Sequence, residues 1–400
     1  MKALIADKFP EGGRKALAQM GVEVVYDPDL SDATLTDAVR SAGAEILVVR
    51  GTKVPAAALT AGRLSLVVRA GAGYDTIDVK TASARGIYVS NCPGKNSIAV
   101  AELTFALILA LDRRVPANVG DLKAGRWNKA EYSKARGLFG RTLGLVGLGR
   151  IGQEVLKRAR AFGLPVVAWS PSLTQERAES LGLQMKRSPT DVAAACDILS
   201  VHVALNNDAR NLIHRGVLDA LRDGSYFINT ARAEVVDQQA LYDAVRERGI
   251  RAGLDVFAGE PSGGSGKVGD KIFELDGVIG THHIGASTDQ AQQAIADETV
   301  RIIREYVQTG HVPNVVNLAK KSPATYLLVV RHYDRVGVLS AVFNQLRHAG
   351  INVQETENIV FEGAAAAIAR IHLDDAPPQK VLDAMRADSA DIIELSVLKL

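Results

Sequence analysis

Three ionisable side chains follow predicted strands in the middle of the chain, in motifs that suit one reaction. Arg232 ends the segment N-T-A-R, Glu260 lies in D-V-F-A-G-E-P, and His283 precedes I-G-A-S. Because ligands bind along the carboxyl edge of a parallel sheet, we expect the three to meet there. An arginine binds a carboxylate through two N–H groups, an imidazole exchanges a hydroxyl proton, and a carboxylate orients the imidazole. The set predicts hydride transfer at a 2-keto acid, although each residue alone would more often be structural.

A glycine motif precedes these residues in the chain. Gly147-Leu-Gly149-Arg-Ile-Gly152 follows a predicted strand and opens a predicted helix. The first glycine permits a tight turn, the second lets a pyrophosphate approach the backbone, and the third lets the helix pack on the strand. The motif alone is weak, but this position predicts a nicotinamide dinucleotide site. The residues assigned to the cofactor are Gly147, Gly149, Arg150, Ile151, Gly152, Ser170, Thr230 and Asp255.

The choice between NAD and NADP depends on the end of the next predicted strand. An acidic residue there, about 20 residues after the motif, would hold the ribose hydroxyls of NAD and repel a 2′-phosphate. This chain has Ser170 instead, in A-W-S-P-S, and the nearest arginine is Arg177. We therefore expect NAD, and NADP stays open.

Short apolar runs alternate with helical patterns along the first 300 or so residues. The predicted strands are 2–6, 22–26, 46–49, 66–68, 142–146, 166–169, 198–203, 226–229, 253–256 and 278–281. This alternation predicts two doubly wound parallel-sheet domains. After a polar linker at 318–324, the order βαββαβ over 325–400 predicts a ferredoxin-like domain. The fold class is therefore α/β, with three domains.

Composition limits the partners. The chain has 400 residues, with 47 Lys and Arg against 45 Asp and Glu. This balance lacks the basic excess of a nucleic-acid binder and favours a small-molecule partner. Two cysteines suit a reducing cytoplasm, and no apolar run is long enough for a signal peptide or a membrane span. We expect a cytoplasmic protein that binds neither nucleic acid nor membrane.

Together the motifs resemble the D-2-hydroxyacid dehydrogenase family over residues 1–317. The resemblance implies that Arg232, Glu260 and His283 are the catalytic set. It also implies a discontinuous substrate domain, 1–98 with 290–317, which flanks a Rossmann nucleotide-binding domain of residues 99–289. Family members pair through their nucleotide domains, so a homodimer or homotetramer is expected.

Three further segments, V-R-G-T-K, R-A-G-A-G and N-C-P-G-K-N, resemble the substrate loops of this family. A substrate with a phosphate ester and a carboxylate needs several cations, because each alone is weak in water. The residues assigned to the substrate are Arg50, Lys53, Arg69, Gly71, Asn96 and Lys129. Scattered surface lysines and arginines are the structural alternative.

The resemblance favours one small anionic substrate, 3-phospho-D-glycerate, which would be oxidised to 3-phosphooxypyruvate as the first step of L-serine synthesis. The same chemistry on hydroxypyruvate, glyoxylate or 2-hydroxyglutarate is the nearest alternative. A different class of protein, an NAD(H)-sensing dehydrogenase-like regulator, could retain the same residues.

Residues 325–400 resemble an ACT domain, a module that senses small molecules. The segment H-Y-D-R-V-G matches its first loop, and Gly350-Ile-Asn352 begins its second strand. The resemblance implies an amino-acid effector such as L-serine, in contact with His332, Asp334 and Asn352. A dimerisation module that binds nothing is the alternative.

Overall fold

A computed structural model describes residues 1–261, 265–319 and 321–400. They form two compact units, residues 1–317 and residues 318–400. The predicted linker, 318–324, falls at the start of the second unit, and its residue 320 lies outside the described residues. Within the described ranges, no helix combines the length and apolar character needed to cross a membrane.

The first sheet of the 1–317 unit has five parallel strands in the order β2-β1-β3-β4-β5. The strands are β1 (Lys2–Ile5), β2 (Glu23–Tyr26), β3 (Ile46–Val49), β4 (Leu66–Arg69) and β5 (Tyr88–Asn91). The helices between them are α1 (Glu11–Gln19), α2 (Leu35–Ala42), α3 (Ala56–Thr60) and α4 (Val79–Ala84). All four residues of β3 are buried, as expected for a strand covered by helices on both faces.

The second sheet of this unit has seven parallel strands in the order β12-β11-β10-β9-β6-β7-β8. The strands are β6 (Leu143–Val146), β7 (Val166–Trp169), β8 (Gln184–Met185), β9 (Ile198–Val201), β10 (Tyr226–Asn229), β11 (Arg251–Leu254) and β12 (Val278–Gly280). The helices are α5 (Ser97–Arg113), α6 (Val115–Lys123), α7 (Lys129–Tyr132), α8 (Arg150–Ala161), α9 (Gln175–Ser180), α10 (Pro189–Ala195), α11 (Arg215–Asp219) and α12 (Gln238–Arg248). The strand order reverses between β6 and β9, which is where open α/β sheets bind ligands.

After β12 the chain returns to the first sheet through α13 (Asp289–Thr309). Buried residues of this helix, such as Ile295 and Ile303, join the apolar core of the first sheet. The segment that follows also reaches β5, where the Val89 N–H donates to Asn317 Oδ1 at 2.9 Å. The last residues of this unit therefore pack against the sheet that its first residues form.

The elements that were not predicted from the sequence include α4, β5, α6, α7 and β8. The strand β5 reads Y-V-S-N, and its polar residues hide the strand pattern. Ser90 Oγ donates to the carbonyl of Pro313 at 2.6 Å, and Asn91 Nδ2 donates to the carbonyl of Ala72 at 2.6 Å. These hydrogen bonds compensate the polar groups for the loss of water on burial. One of the partners lies 223 residues away in the sequence, so a local pattern could not indicate it.

A buried ion pair ties α5 to the second sheet. Arg141 Nη1 lies 3.4 Å from Asp112 Oδ1, and both side chains are less than a tenth exposed. The Tyr226 hydroxyl donates to the same carboxylate oxygen at 3.1 Å, and the Gly137 N–H donates to the other at 3.2 Å. The Arg141 guanidinium also lies 4.1 Å from the centre of the Tyr226 ring. The charges are thus paired at the amino end of β10.

The second unit, residues 318–400, has a four-stranded antiparallel sheet in the order β14-β15-β13-β16. Its elements are β13 (Tyr326–Tyr333), α14 (Val338–His348), β14 (Val353–Val360), β15 (Ala366–Leu373), α15 (Gln379–Asp388) and β16 (Ile392–Lys399). Alternate residues of β15 are buried with the apolar faces of both helices. The element order is the predicted βαββαβ, in which two helices and one sheet face form the core.

We expect Asp112→Ala to lower the free energy of unfolding by about 3–5 kcal/mol, because it leaves a buried guanidinium without its partner. Chemical denaturation would measure the loss as a lower midpoint. The control is Asp37→Ala, which breaks an exposed pair with Arg40 and should leave the midpoint nearly unchanged. Equal effects of the two substitutions would contradict this role of the buried cluster.

Candidate active site

The predicted catalytic residues lie beyond the carboxyl ends of three neighbouring strands. Arg232 follows β10, Glu260 follows β11, and His283 follows β12. His283 Nδ1 and Glu260 Oε2 are 2.8 Å apart. All three side chains line one cavity, so the structure brings together the set that the motifs indicated.

Two adjoining cavities meet at these residues, with volumes of about 390 and 760 Å³. The smaller cavity is lined by several predicted cofactor residues: Gly149, Arg150, Ile151, Thr230 and Asp255. The larger is lined by predicted substrate and catalytic residues, among them Arg50, Lys53 and Glu260. Both cavities share Arg69, Asp75, Arg232 and His283. The shared residues lie where a cofactor-side space and a substrate-side space adjoin.

Glu260 has two fixed hydrogen-bond partners. Its Oε2 faces His283, and its Oε1 accepts from the Phe257 N–H at 2.9 Å. Burial raises the pKa of Glu260, but these hydrogen bonds and the nearby positive charge outweigh it, so the pKa lies below the ordinary value of 4.5. The carboxylate is therefore ionised at neutral pH, where it can stabilise an imidazolium. Its contribution to stability is lost as the pH falls through this lowered pKa.

The loop that carries His283 is held by the buried carboxylate of Asp255. Asp255 Oδ1 accepts from the Thr281 hydroxyl at 2.6 Å and the Ile284 N–H at 2.8 Å, and Oδ2 accepts from the Gly285 N–H at 2.9 Å. His283 itself has a φ of 52°, a left-handed conformation that non-glycine residues seldom adopt. The sequence assigned Asp255 to the cofactor; the structure adds this support of the loop.

The Arg232 guanidinium is bound by a residue that the sequence analysis did not single out. Asp75 Oδ1 accepts from Nη2 at 3.0 Å, and Asp75 Oδ2 accepts from Nε at 3.2 Å. Burial raises the pKa of Asp75, but the hydrogen bonds and charge of Arg232 lower it below its ordinary value. The signal available was an acid just after the R-A-G-A-G loop, without any indication of its partner.

The glycine motif has the geometry of an anion cradle. Gly147 has a φ of 100°, and a Cβ there would lie 2.7 Å from the His202 carbonyl oxygen. A Cβ on Gly152 would overlap the Gly147 carbonyl, whereas nothing lies within 4 Å of a Cβ position at Gly149. No described side chain caps α8, so the N–H groups of its first turn can bind an anion. The cradle fits a dinucleotide pyrophosphate.

The other predicted cofactor residues surround this cradle. Arg150 Nη1 donates across the cleft to the Pro93 carbonyl at 2.6 Å. Thr230 is buried, and its hydroxyl lies 3.2 Å from that of Thr104. Ser170 directly follows β7 at the same edge of the sheet. The position expected to contact the ribose therefore holds a hydroxyl rather than a carboxylate.

Two predicted substrate arginines have no carboxylate within ion-pair distance among the described residues: Arg50 and Arg69. Burial and the neighbouring Arg232 lower the pKa of Arg69 to about 10, and its Nε is buried without a hydrogen-bond partner in the described chain. The Arg50 loop is fixed by Asp7 Oδ2, which accepts from the N–H groups of residues 50, 51 and 52. Both guanidiniums are thus placed where an anion could pair with them.

The remaining substrate assignments differ in how the structure supports them. Lys53 lines the larger cavity, with its Nζ 3.9 Å from Asp32. A Cβ on Gly71 would overlap the Arg69 guanidinium, so the glycine gives that side chain its space. Asn96 lines the smaller cavity instead, and its Oδ1 is buried without a described partner.

Lys129 begins the short helix α7 and lines neither of the two cavities within one described chain. Its assignment to the substrate therefore stays a prediction.

The predicted effector residues are not brought together within one chain. Val353, next to Asn352, pairs with Leu373, which pairs with Tyr326 at the start of β13. His332 lies near the other end of β13, about 20 Å away at the usual rise per residue. His332 is buried, and its ring nitrogens already face the Tyr333 carbonyl at 2.8 Å and Asn358 Oδ1 at 3.2 Å. The assignment of His332 as an effector contact therefore disagrees with its packing.

Comparison with known proteins identifies the family of this chain. The family model for the NAD-binding domain of D-isomer specific 2-hydroxyacid dehydrogenases matches residues 105–285. The hydroxypyruvate reductase of Thermotoga maritima is 40% identical over 263 residues, which cover 65% of this chain and 83% of that protein. The fold and the site define a dinucleotide-binding protein equipped for acid–base chemistry. The chain belongs to the D-isomer specific 2-hydroxyacid dehydrogenase family.

Two further relatives are similar over most of the chain. The D-3-phosphoglycerate dehydrogenase of Methanocaldococcus jannaschii is 38% identical over 321 residues, which cover 80% of this chain and 60% of that protein. The chain thus spans about 60% of the length of that relative. The structure of the NAD⁺-bound 3-phosphoglycerate dehydrogenase of Entamoeba histolytica matches with a TM-score of 0.67 at 25% identity, over 80% of this chain and 99% of that one.

We expect His283→Ala to lower kcat for a 2-hydroxyacid by about 10²–10⁴-fold, as for loss of a general base. Glu260→Gln should lower kcat less and move the acid limb of the kcat/KM profile to lower pH. The reason is that His283 loses the anion that stabilises its protonated form.

The matched control for Glu260→Gln is Glu234→Gln. Glu234 lines the same cavity, and no described contact joins it to His283. An acid limb that stays in place in Glu260→Gln, or one that moves equally in both variants, would contradict the pairing of Glu260 with His283.

Proposed function

We propose that this protein oxidises a D-2-hydroxyacid with a nicotinamide cofactor, and that its substrate is 3-phospho-D-glycerate. The observation that carries the proposal is the 2.8 Å contact between His283 and Glu260, in a cavity that Arg232 also lines. A proton acceptor, an anion beside it and a carboxylate-binding guanidinium are the groups that this oxidation needs. Family membership supports the reaction class.

The residues divide the reaction between them. When bound, the nicotinamide supplies the acceptor for the hydride. Arg232 holds the substrate carboxylate, which fixes C2 and its hydroxyl beside His283. His283 Nε2, the ring nitrogen that does not face Glu260, accepts the hydroxyl proton while C2 loses a hydride and becomes a carbonyl carbon. Glu260 stabilises the imidazolium that results, and reduction in the reverse direction returns the same proton to the substrate oxygen.

The preference for a phosphorylated substrate rests on Arg50 and Arg69. Arg232 alone can bind one carboxylate, so a small hydroxyacid such as D-glycerate needs no further cation. Two additional guanidiniums, both without an ion-pair partner among the described residues, match the charge of a phosphate ester. The name of the Methanocaldococcus jannaschii relative supports the same substrate.

A second candidate is a reductase of hydroxypyruvate or glyoxylate, or a 2-hydroxyglutarate dehydrogenase. The Thermotoga maritima relative, named as a hydroxypyruvate reductase, favours this reading. Its physical difference from the main proposal is that Arg50 and Arg69 would have no phosphate to bind. An NAD(H)-sensing regulator is the alternative of another class, and it would bind the cofactor without appreciable turnover.

We propose NAD as the cofactor, with NADP as the alternative. The Ser170 hydroxyl can bond a ribose hydroxyl, and no arginine directly follows β7 to bind a 2′-phosphate. The absence of a carboxylate at that position removes the usual repulsion of NADP, so discrimination between the two should be modest.

For residues 325–400 we propose an ACT domain that binds L-serine or another amino acid between two copies of the chain. Asp334 could bind the ammonium group, and Asn352 lies near the opposite end of the sheet, so one ligand touching both needs a second domain. This arrangement requires a homodimer or homotetramer. His332, whose ring nitrogens have internal partners, would shape the loop rather than touch the ligand.

Initial rates with 3-phosphoglycerate, D-glycerate and 2-hydroxyglutarate, each with NAD and with NADP, test the proposal. We expect 3-phosphoglycerate with NAD to give the highest kcat/KM. Arg50→Gln should raise KM for 3-phosphoglycerate by about 10-fold or more, the loss of a charge-assisted hydrogen bond, and should leave KM for D-glycerate nearly unchanged.

The control for Arg50→Gln is Arg63→Gln, an exposed arginine paired with Glu45. If Arg50→Gln shifts KM for phosphorylated and unphosphorylated substrates equally, Arg50 does not bind phosphate. If D-glycerate is the best substrate of the wild-type protein, the second candidate function replaces the first.

L-Serine should change the initial rate of the full chain, and Asn352→Ala should weaken that response because it removes a polar contact from one half of the shared site. A serine titration of rate, with D-serine as the control ligand, measures it. The same response in the wild type and in Asn352→Ala would exclude Asn352 from the effector site. No response in either would leave the domain as a dimerisation module.

A further inference from the structure

The Arg232 side chain is held in the cleft mainly by a residue from the other sheet. Arg232 follows β10 in the second sheet, whereas Asp75 lies in the loop after β4 of the first. Their side chains meet through two hydrogen bonds, of 3.0 and 3.2 Å. A third bond runs from Arg232 Nη1 to the Ala231 carbonyl at 2.7 Å.

Counting the N–H groups of the Arg232 guanidinium shows which of them these three hydrogen bonds do not use. A guanidinium has five N–H groups, one on Nε and two on each terminal nitrogen. Asp75 takes the Nε hydrogen and one Nη2 hydrogen, and the Ala231 carbonyl takes one Nη1 hydrogen. Of the two that remain, one belongs to Nη1 and one to Nη2, the two nitrogens at the end of the fork. That pair has the spacing to bind a carboxylate through both oxygens.

The close approach is built into the loop that carries Asp75. A Cβ on Gly73 would overlap Arg232 Nη2 and would lie 3.0 Å from Asp75 Oδ1. Only a residue without a side chain therefore lets the guanidinium reach the carboxylate. The glycine and the acid, two residues apart, together form a receptor for one edge of Arg232.

We propose that Asp75 is a positioning residue, which binds the side edge of the Arg232 guanidinium so that its end pair of N–H groups faces the substrate carboxylate. The inference rests on the proposed function, since it assumes that Arg232 binds that carboxylate. Asp75 also offsets the repulsion between Arg232 and the buried Arg69, which would otherwise push the two guanidiniums apart. The fixed orientation requires no reorganisation when the substrate arrives.

The positioning role and a purely electrostatic role of Asp75 predict opposite changes in substrate affinity when Asp75 is removed. Asp75 is an anion in a cleft that binds anions, so its removal should strengthen substrate binding if only net charge mattered. If Asp75 positions Arg232, its removal should weaken binding. A second carboxylate of the same cavity, Glu234, has no described contact with Arg232 and provides the comparison.

The experiment compares Asp75→Asn with Glu234→Gln in the full chain. Two readouts are used: KM for 3-phosphoglycerate with saturating NAD⁺, and the Kd of oxalate, a planar dicarboxylate, by calorimetry with NADH present. Asp75→Asn should raise both by about 10-fold or more, as expected for loss of a charge-assisted pair, with a smaller change in kcat. Glu234→Gln should leave both unchanged or lower them. The Kd of NADH should be the same in all three proteins.

Gly73→Ala provides a second variant that keeps every charge and displaces Arg232 by its added methyl group. It should also raise the oxalate Kd, so a failure of Asp75→Asn to fold does not prevent the test. If KM and Kd fall in both Asp75→Asn and Glu234→Gln, Asp75 acts only through its negative charge, and the proposal that it positions Arg232 is wrong. Wild-type protein that does not bind oxalate would also overturn it.

The proposed function can fail separately. Wild-type protein that binds oxalate but turns over none of the three hydroxyacids would exclude the dehydrogenase activity. The effect of Asp75→Asn on the oxalate Kd would still decide whether Asp75 positions Arg232.

Discussion

The carboxylate of Asp255 holds the part of the cleft on which the proposed chemistry depends. It is almost completely buried, and its hydrogen bonds all come from the loop between Thr281 and Gly285. A buried carboxylate is costly unless it is hydrogen-bonded, so these bonds are needed for the fold as much as for the loop. They also hold His283 in a left-handed conformation that it would seldom adopt alone. With the backbone fixed, Glu260 needs only one contact to orient the ring.

Charge is the second constraint, because the cleft gathers guanidiniums that repel one another. Arg69 shows the cost most clearly, since burial and Arg232 together lower its pKa to about 10. Asp75 offsets part of this repulsion, and its own pKa stays below the ordinary value because Arg232 binds it. An anionic substrate would add the compensation that the protein leaves incomplete. A bound anion would therefore reduce the electrostatic repulsion among the guanidiniums of the cleft.

The sequence alone predicted those features that depend on residues close together in the chain. The glycines of the dinucleotide motif, the alternation of strands and helices, and the residues just beyond strand ends all follow from short patterns. It missed β5 and Asp75 because their partners are distant: Ser90 bonds a carbonyl 223 residues away, and Asp75 bonds a guanidinium 157 residues away. The effector residues matched a motif whose members one chain does not bring together.

The loops of the cleft are fixed by two different means, and the difference bears on how the site works. Asp7 and Asp255 each accept N–H groups from one loop, so each fixes the backbone of the sheet to which it belongs. Asp75 instead binds a side chain that follows a strand of the other sheet. The bond between Asp75 and Arg232 therefore joins the two sheets, whereas the bonds of Asp7 and Asp255 lie within one sheet and its loops. The proposed carboxylate-binding group is complete only because residues of both sheets meet in the cleft.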